Sequence, residues 1–396
     1  MLSRAFIPYQ GYWSSPFCRW QGSFQNEHAI ELGAATARKF FELRGLSPEV
    51  LDGVFLGMTI GAKSWFYGAP WFAALIGHDK ISGPTISQAC ATSATALGLG
   101  AAAVEAGAYQ SLLVATTDRC SNGPHTVWPN PNGPGGEVIH ENWMMDNFNK
   151  DPYGGQAMIQ TAENVAKEYG VTKEESDACA VRRYEQYLAS TANDREFQKR
   201  YLIPVEIRLG KKKTISVEAD EGITPCTAEG LAALKPVLPG GVISFGAQTH
   251  PADGNAGLIV ASRDKAAELS ADKKVTIQVL SYGHARAKKT YMAAAVTPAA
   301  QMALEQAGLK VPDLAAVKTH NPFSVNDVVM GKLMAIDDKI FNNYGSSLIF
   351  GHPQGPTGAR CIIELIEELV LKGGGCGLFA GCAAGDTAAA VTIKVG

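Results

Sequence analysis

What the chain lacks narrows its chemistry before any motif is read. It has no Cys-x-x-Cys pair, so no structural zinc site is expected within it. Its eight cysteines follow no framework spacing and do not read as a disulfide-stapled secreted scaffold. No uninterrupted apolar run reaches membrane-spanning length, and the stretch Met1–Trp13 lacks the apolar centre of a signal peptide. Charged residues make up only 18% of the chain, with a net charge of -3. There is therefore no basic field to attract nucleic acid, and an anionic ligand has to be met by local groups. These absences lead us to expect a soluble, reduced, cytoplasmic protein with no nucleic-acid or membrane partner.

What is present is an ordinary globular composition, 46% hydrophobic over 396 residues, enough for two or three domains or two fused halves. The chain is organised around Gly83–Gly107, GPTISQACATSATALGLGAAAVEAG. From Cys90 this run has no proline and no charge before Glu105, so we expect a buried helix starting close to Cys90. Ser87 and Gln88 could cap its free amides. A thiol at a helix N-terminus meets the positive end of the peptide dipole, which lowers its pKa. On this stretch alone Cys90 is either a nucleophile or a buried structural cysteine.

Around it the chain alternates strand and helix, the pattern of a sheet between helices. Arg4–Tyr9 reads as a first strand. The aromatics Tyr12, Trp13, Phe17, Trp20 and Phe24 read as a loop, either packed down or forming a lid, an interface or a substrate wall. His28–Arg44 is helical, ended by Gly45. Val54–Ile60 and Leu112–Thr116 are strands. Asn122–Lys150, with clustered Pro, Gly and Asn, reads as an irregular insertion. Ala157–Tyr169 and Lys173–Ala192 are helices, the second opened by a capping box from Thr172 to Glu175. The run Lys211–Lys213 is a solvated face or a phosphate contact. From Lys274 the element order of the first half recurs, with Gly351–Gly373 mirroring Gly83–Gly107.

Four blocks carry a resemblance to the thiolases over nearly the whole chain: SQACATSATA around Cys90, TAENVAKEYGVTKEESDACAVRR from Thr161, GHPQGPTGAR from Gly351 and FAGCAAGDTAAAV from Phe379. A weaker fifth pairs EGLAALKPVLPGG with HPADGNAG. The resemblance implies an α/β thiolase fold, two βαβαβαββ halves in five αβαβα layers with an inserted loop domain. The division it suggests is 1–120 with 243–265, then 121–242 covering CoA, then 266–396. It implies Cys90 as the acyl-carrying nucleophile, His352 as its base and Cys382 as the second thiol, moving a proton at the α-carbon or at sulfur. The residue types suit the task, since a thiolate attacks a thioester and leaves as readily as CoA does. The backbone amides of Cys90 and Ala384 would form one oxyanion hole, with alanine where relatives carry glycine. His320 would polarise the second substrate, and Asn321 stands where an acidic residue is usual.

The resemblance also points to Met158, Ala157, Thr249, Phe323 and Asn321 as substrate or CoA contacts. Ala157 in place of a histidine should enlarge the acyl pocket. With the aromatic loops, this leads to the expectation of a bulky, branched or aromatic acyl group, as in the benzoylsuccinyl-CoA-type branch. That branch pairs with a small zinc-binding OB-fold subunit. A homodimer or tetramer, no metal in this chain, and CoA as a substrate rather than a cofactor complete the reading. The alternatives are an acetoacetyl-CoA thiolase, a decarboxylating ketoacyl synthase, which lacks the second cysteine, and a non-catalytic scaffold subunit.

Overall fold

A computed structural model describes residues 1–210 and 213–396. In chain order the first part gives strands β1 (Tyr12–Ser14) and β2 (Cys18–Arg19), helix α1 (Ala29–Arg44), β3 (Gly53–Gly57), α2 (Gly68–Leu75), β4 (Thr85–Ile86), α3 (Thr92–Glu105) and β5 (Ser111–Arg119). The expected strand at Arg4–Tyr9 is an extended segment holding only isolated bridges at Phe6. The first ladder instead uses Tyr12–Ser14, paired antiparallel with a later strand. Glycine ends α1 as expected: Gly45, at φ 61, turns its amide back onto the last turn.

After β5 come a hairpin, β6 (His125–Pro129) and β7 (Val138–Asn142), then α4 (Trp143–Asn149), α5 (Met158–Glu168), α6 (Lys173–Arg195), a second hairpin, β8 (Val205–Leu209) and β9 (Lys213–Val217), and α7 (Ala228–Ala233). The irregular insertion expected at Asn122–Lys150 is thus a hairpin and a helix. Its Pro-Gly-rich part is the hairpin tip, with Gly135 and Gly136 at positive φ. The Thr172–Glu175 capping box is present on α6. Of the basic run, Lys211 and Lys212 lie outside the described residues, and Lys213 opens β9.

The chain then returns with β10 (Ala252–Ala261) and continues through α8 (Arg263–Leu269), β11 (Ile277–Arg286), α9 (Val296–Ala307), β12 (Leu314–His320), α10 (Ser324–Met334), α11 (Ser347–Phe350), α12 (Pro356–Leu371), β13 (Gly375–Ala383) and β14 (Thr387–Val395). Two main sheets result, with strand orders β1-β10-β5-β3-β4, β2 also on β10, and β11-β14-β13-β12. The internal repeat is visible in the pairing. β5 lies parallel to β3 and antiparallel to β10, as β13 lies parallel to β12 and antiparallel to β14.

Helices α3 and α12 pack against each other and against both sheets, while α1 and α2 cover the outer face of one sheet and α9 that of the other. This is the five-layered arrangement of two similar halves. Small residues on α3 let its neighbours come close. A Cβ on Gly98 would sit 2.4 Å from the Tyr282 ring of β11, and one on Gly358 would sit 3.3 Å from Ser93. No helix among the described residues is long and apolar enough to cross a membrane.

The motif blocks that lie away from Cys90 act as anchors. Glu163, from TAEN on α5, accepts hydrogen bonds from the amides of Val242 and Ile243 at 3.0 and 2.9 Å, clamping the returning chain onto the helix. Arg183 of α6 donates to Asp327 of α10 at 2.7 Å, both fully buried. Arg360 of α12 makes a two-pronged pair with Asp220 at 2.6 and 2.8 Å, also fully buried. Paired guanidinium forks of this kind are how cations are tolerated without water.

Candidate active site

Both central helices begin at one spot. Cys90 lies two residues before α3, behind Ala89, which is held at φ 46. The turn is tied by Thr92, whose hydroxyl accepts from the Gln88 amide at 2.8 Å and donates to the Ala89 carbonyl at 2.7 Å. The capping expected of Ser87 and Gln88 is not made; a residue inside the helix closes the turn instead. His352 precedes α12. Its backbone pairs with the entry to β10, through bonds of 2.9 Å to the His250 carbonyl and 3.2 Å from the Ala252 amide. The block HPADGNAG therefore sets the position of the histidine.

The side chains meet across the two halves. Cys90 Sγ and His352 Nε2 are 3.1 Å apart, and His352 Nδ1 is 2.6 Å from the Thr357 hydroxyl. His320, at the end of β12, stacks on His352 with ring centroids 4.0 Å apart. Its Nδ1 is 2.8 Å from the Ser347 hydroxyl, and its Nε2 is buried without a partner. One ligand-type atom from each of Cys90, His320 and His352 lies within 4.8 Å of the others. Cys382, at the end of β13, is fully buried and accepts a hydrogen bond from Asn326 Nδ2 at 3.2 Å.

The electrostatics favour neutral resting groups. Burial pushes the Cys90 thiol up to about 12, against the backbone amides of Ala384 and of Cys90 itself, which favour the thiolate. The lowered thiol pKa expected from the helix dipole is therefore overridden by desolvation. Burial lowers His320 to about 3 and holds His352 well below its ordinary value, with His320 and His250 adding repulsion. Burial likewise raises the Cys382 thiol, and a charge on Cys90 would raise it further. The proton thus belongs on sulfur at rest, with a free imidazole in contact to receive it.

A cavity of about 900 Å³ opens onto Cys90. Its wall takes Thr59, Ile60 and Cys90 from the first half, and Trp143, Met144, Phe148, Met158 and Phe245 from the segment between β5 and β10. Met292, Phe323, His352, Gln354 and Ala384 come from the second half. Of the residues expected at the substrate, Ala157, Met158, Thr249 and Phe323 are on this wall. Asn321 is not: its amide is spent on Asp327 Oδ2 at 2.6 Å and on the Leu348 amide at 3.1 Å, behind His320. The N-terminal aromatics divide. Tyr12, Trp13, Phe17 and Phe24 are core, and Trp20 reaches the wall.

Sequence reasoning missed Asn326, Ser347, Thr357 and Gln354, which orient the four candidate groups. Each is a polar residue near a helix start: Gln354 and Thr357 follow His352 by two and five positions within its block, Asn326 follows Phe323 by three, and Ser347 lies in a segment without any motif. Only the fold shows which way such a side chain turns.

Residues 13–264 match the family model described as the thiolase N-terminal domain, and residues 273–395 that described as the thiolase C-terminal domain. An acetyl-CoA acetyltransferase of Syntrophomonas wolfei is 28% identical over 390 residues, covering 96% of each chain. A beta-ketoadipyl-CoA thiolase of Pseudomonas knackmussii is 29% identical over 395 residues, again covering 96% of each. The structure of human mitochondrial 3-ketoacyl-CoA thiolase in complex with CoA superposes with a TM-score of 0.90 at 25% identity, over 100% of this chain and 99% of that one.

Proposed function

The chain belongs to the thiolase family of acyltransferases, and from that premise we propose that it cleaves a 3-oxoacyl-CoA with CoA, or runs the reverse condensation, through an acyl group carried on Cys90. The single observation that carries this reading is the 3.1 Å contact between the Cys90 sulfur and the His352 imidazole at the cavity wall. His352 takes the thiol proton and the thiolate adds to the 3-oxo carbon. The bond between C2 and C3 then breaks, and its electron pair takes a proton from Cys382, releasing acetyl-CoA. A CoA thiol gives its proton to the Cys382 thiolate and attacks the acyl-enzyme; the acyl group moves to its sulfur, and Cys90 leaves as thiolate and takes back the proton held on His352. The Ala384 and Cys90 amides receive one oxyanion. His320 receives the other, with the Ser347 hydroxyl donating to Nδ1 so that Nε2 carries the hydrogen. Residues 121–242 would cover the CoA, as the loop domain of such a fold.

The substrate reading follows from the wall. Trp20, Trp143, Met144, Phe148, Met158 and Phe323 make it large and apolar, and Glu141 is its only charged residue among those described. The uncharged pantetheine arm of CoA and a bulky, uncharged acyl group both suit it. A benzoylsuccinyl group carries a free carboxylate and would meet no lysine or arginine there, so we place it behind uncharged branched and aromatic groups. Acetoacetyl-CoA is the second reading, favoured by the relative named as an acetyl-CoA acetyltransferase.

Assaying CoA-dependent cleavage of linear, branched, aromatic and carboxylate-bearing 3-oxoacyl-CoAs tests this. Acetoacetyl-CoA with the highest kcat/KM would favour the second reading, and no cleavage of any of them would refute both. Exposed Phe66, Tyr67, Val127, Trp128 and Ile139 suit burial against a second copy, which light scattering in solution would measure.

A further inference from the structure

Gln354 stands on the cavity wall, beside Cys90, and the proposed reaction gives it no step. It lies two residues after His352, in a left-handed backbone conformation at φ 63 that glycine adopts more readily than any other residue. Its side chain is 5% exposed. The carboxamide oxygen is 3.3 Å from Cys90 Sγ and accepts the thiol's hydrogen bond, while His352 Nε2 is 3.1 Å from the same sulfur. The turn is pinned from behind. The Gly355 amide donates to Asp118 Oδ2 at 2.8 Å, and the Ser93 hydroxyl donates to the Gly355 carbonyl. A strained backbone, firmly held, aims a polar side chain at the nucleophile, a position where strain is commonly kept for function.

We propose that Gln354 is a further catalytic residue, whose carboxamide oxygen stabilises the proton as it passes from Cys90 to His352. The proposal rests on Cys90 being the nucleophile and His352 its base. In this step the S–H bond breaks, an N–H bond forms at Nε2, and the electron pair stays on sulfur; no other reactant is needed.

The imidazolium so formed has no carboxylate behind it, since Nδ1 meets the neutral Thr357 hydroxyl. The titratable groups facing the pair are His320 and His250 beside His352, and Asp118, Cys120 and Cys382 beside Cys90. Burial, His320 and His250 all oppose a charge on His352, and the Gln354 carboxamide works against them.

The test is rapid-mixing acylation of the full chain by an acyl-CoA, read as acyl-enzyme by intact mass. Gln354→Leu removes the acceptor at similar bulk, and Gln354→Gly removes it while relieving the backbone. Both should slow Cys90 acylation about 10–100-fold, the worth of one hydrogen bond to a charged group. Both variants should keep wild-type circular dichroism. Normal acylation in both variants overturns the proposal. So does slowing in Gln354→Leu with full rate in Gln354→Gly, which would mark a packing effect. Wild-type protein that never acylates at Cys90 would instead overturn the thiolase reading itself, so the two failures are distinguishable.

Discussion

Replacing His352 by asparagine separates Cys90 from its proposed base. In the folded protein burial raises the Cys90 thiol to about 12. At pH 7 an unaided thiol of that strength is ionised in about one molecule in 10⁵. His352, 3.1 Å from the sulfur, removes that requirement by taking the proton as the reagent arrives. We expect His352→Asn to slow alkylation of Cys90 at pH 7 by about 10²–10⁴, the usual worth of a positioned base. Water admitted by the smaller side chain lowers the thiol pKa, so the loss stays short of the full 10⁵. The pH dependence should change as well. In the variant the rate should climb about tenfold per pH unit from 7 upward, because only pre-formed thiolate reacts. Wild type should depend on pH less steeply. The assay is iodoacetamide labelling read by mass spectrometry on the Cys90 peptide across pH 6 to 10. A variant that labels as fast as wild type at pH 7, or whose rate is flat with pH, would refute the reasoning.

Three further outcomes are expected. Cys382→Ser should leave acylation of Cys90 by a simple acyl-CoA largely intact, since the CoA thiolate leaves readily, and slow carbon–carbon cleavage of a 3-oxoacyl-CoA about 10²–10⁴-fold; equal effects on the two reactions would remove Cys382 from its role. Asp220→Asn leaves the fully buried Arg360 guanidinium without its two-pronged partner and should cost about 3–5 kcal/mol, read from urea unfolding, with an unchanged midpoint refuting it. Asp118, whose carboxyl is raised by burial to about 7 from the usual 3.8, holds its proton longer when folded than when unfolded. Its contribution to stability is therefore full below about pH 4 and lost as pH rises through about 7. Asp118→Asn should flatten the fall in unfolding free energy over that window, and parallel curves for the two proteins would count against a raised carboxyl.

The structure changed the account most where burial competes with a local rule. At Cys90 the helix start was legible from the small-residue run, and so was a cysteine beside it. The sign of its pKa shift was not, because the dipole acts locally while desolvation depends on how much protein from the other half lies over the sulfur. At Asn321 the motif position was legible, but Asp327 and Leu348 draw the side chain away from the cavity, and both are contacts of the folded chain. The insertion after β5 looked irregular because the composition of a hairpin tip dominates so short a stretch. Conversely, α1 with Gly45 and α6 with its Thr172–Glu175 box are where the sequence placed them, since both ends are set by residues within one turn.

By itself the sequence determined the family, the two-halved order of elements, and which sulfurs and imidazoles are candidates, because these depend on short blocks whose meaning is local. The tertiary structure alone decided which atoms meet. Cys90 and His352 are 262 positions apart and touch only because α3, with its small side chains, and α12 are pressed together between two sheets. The same closeness gave Gln354, Thr357, Ser347 and Asn326 their partners, and the burial it brings raises the Cys90 thiol above its ordinary pKa.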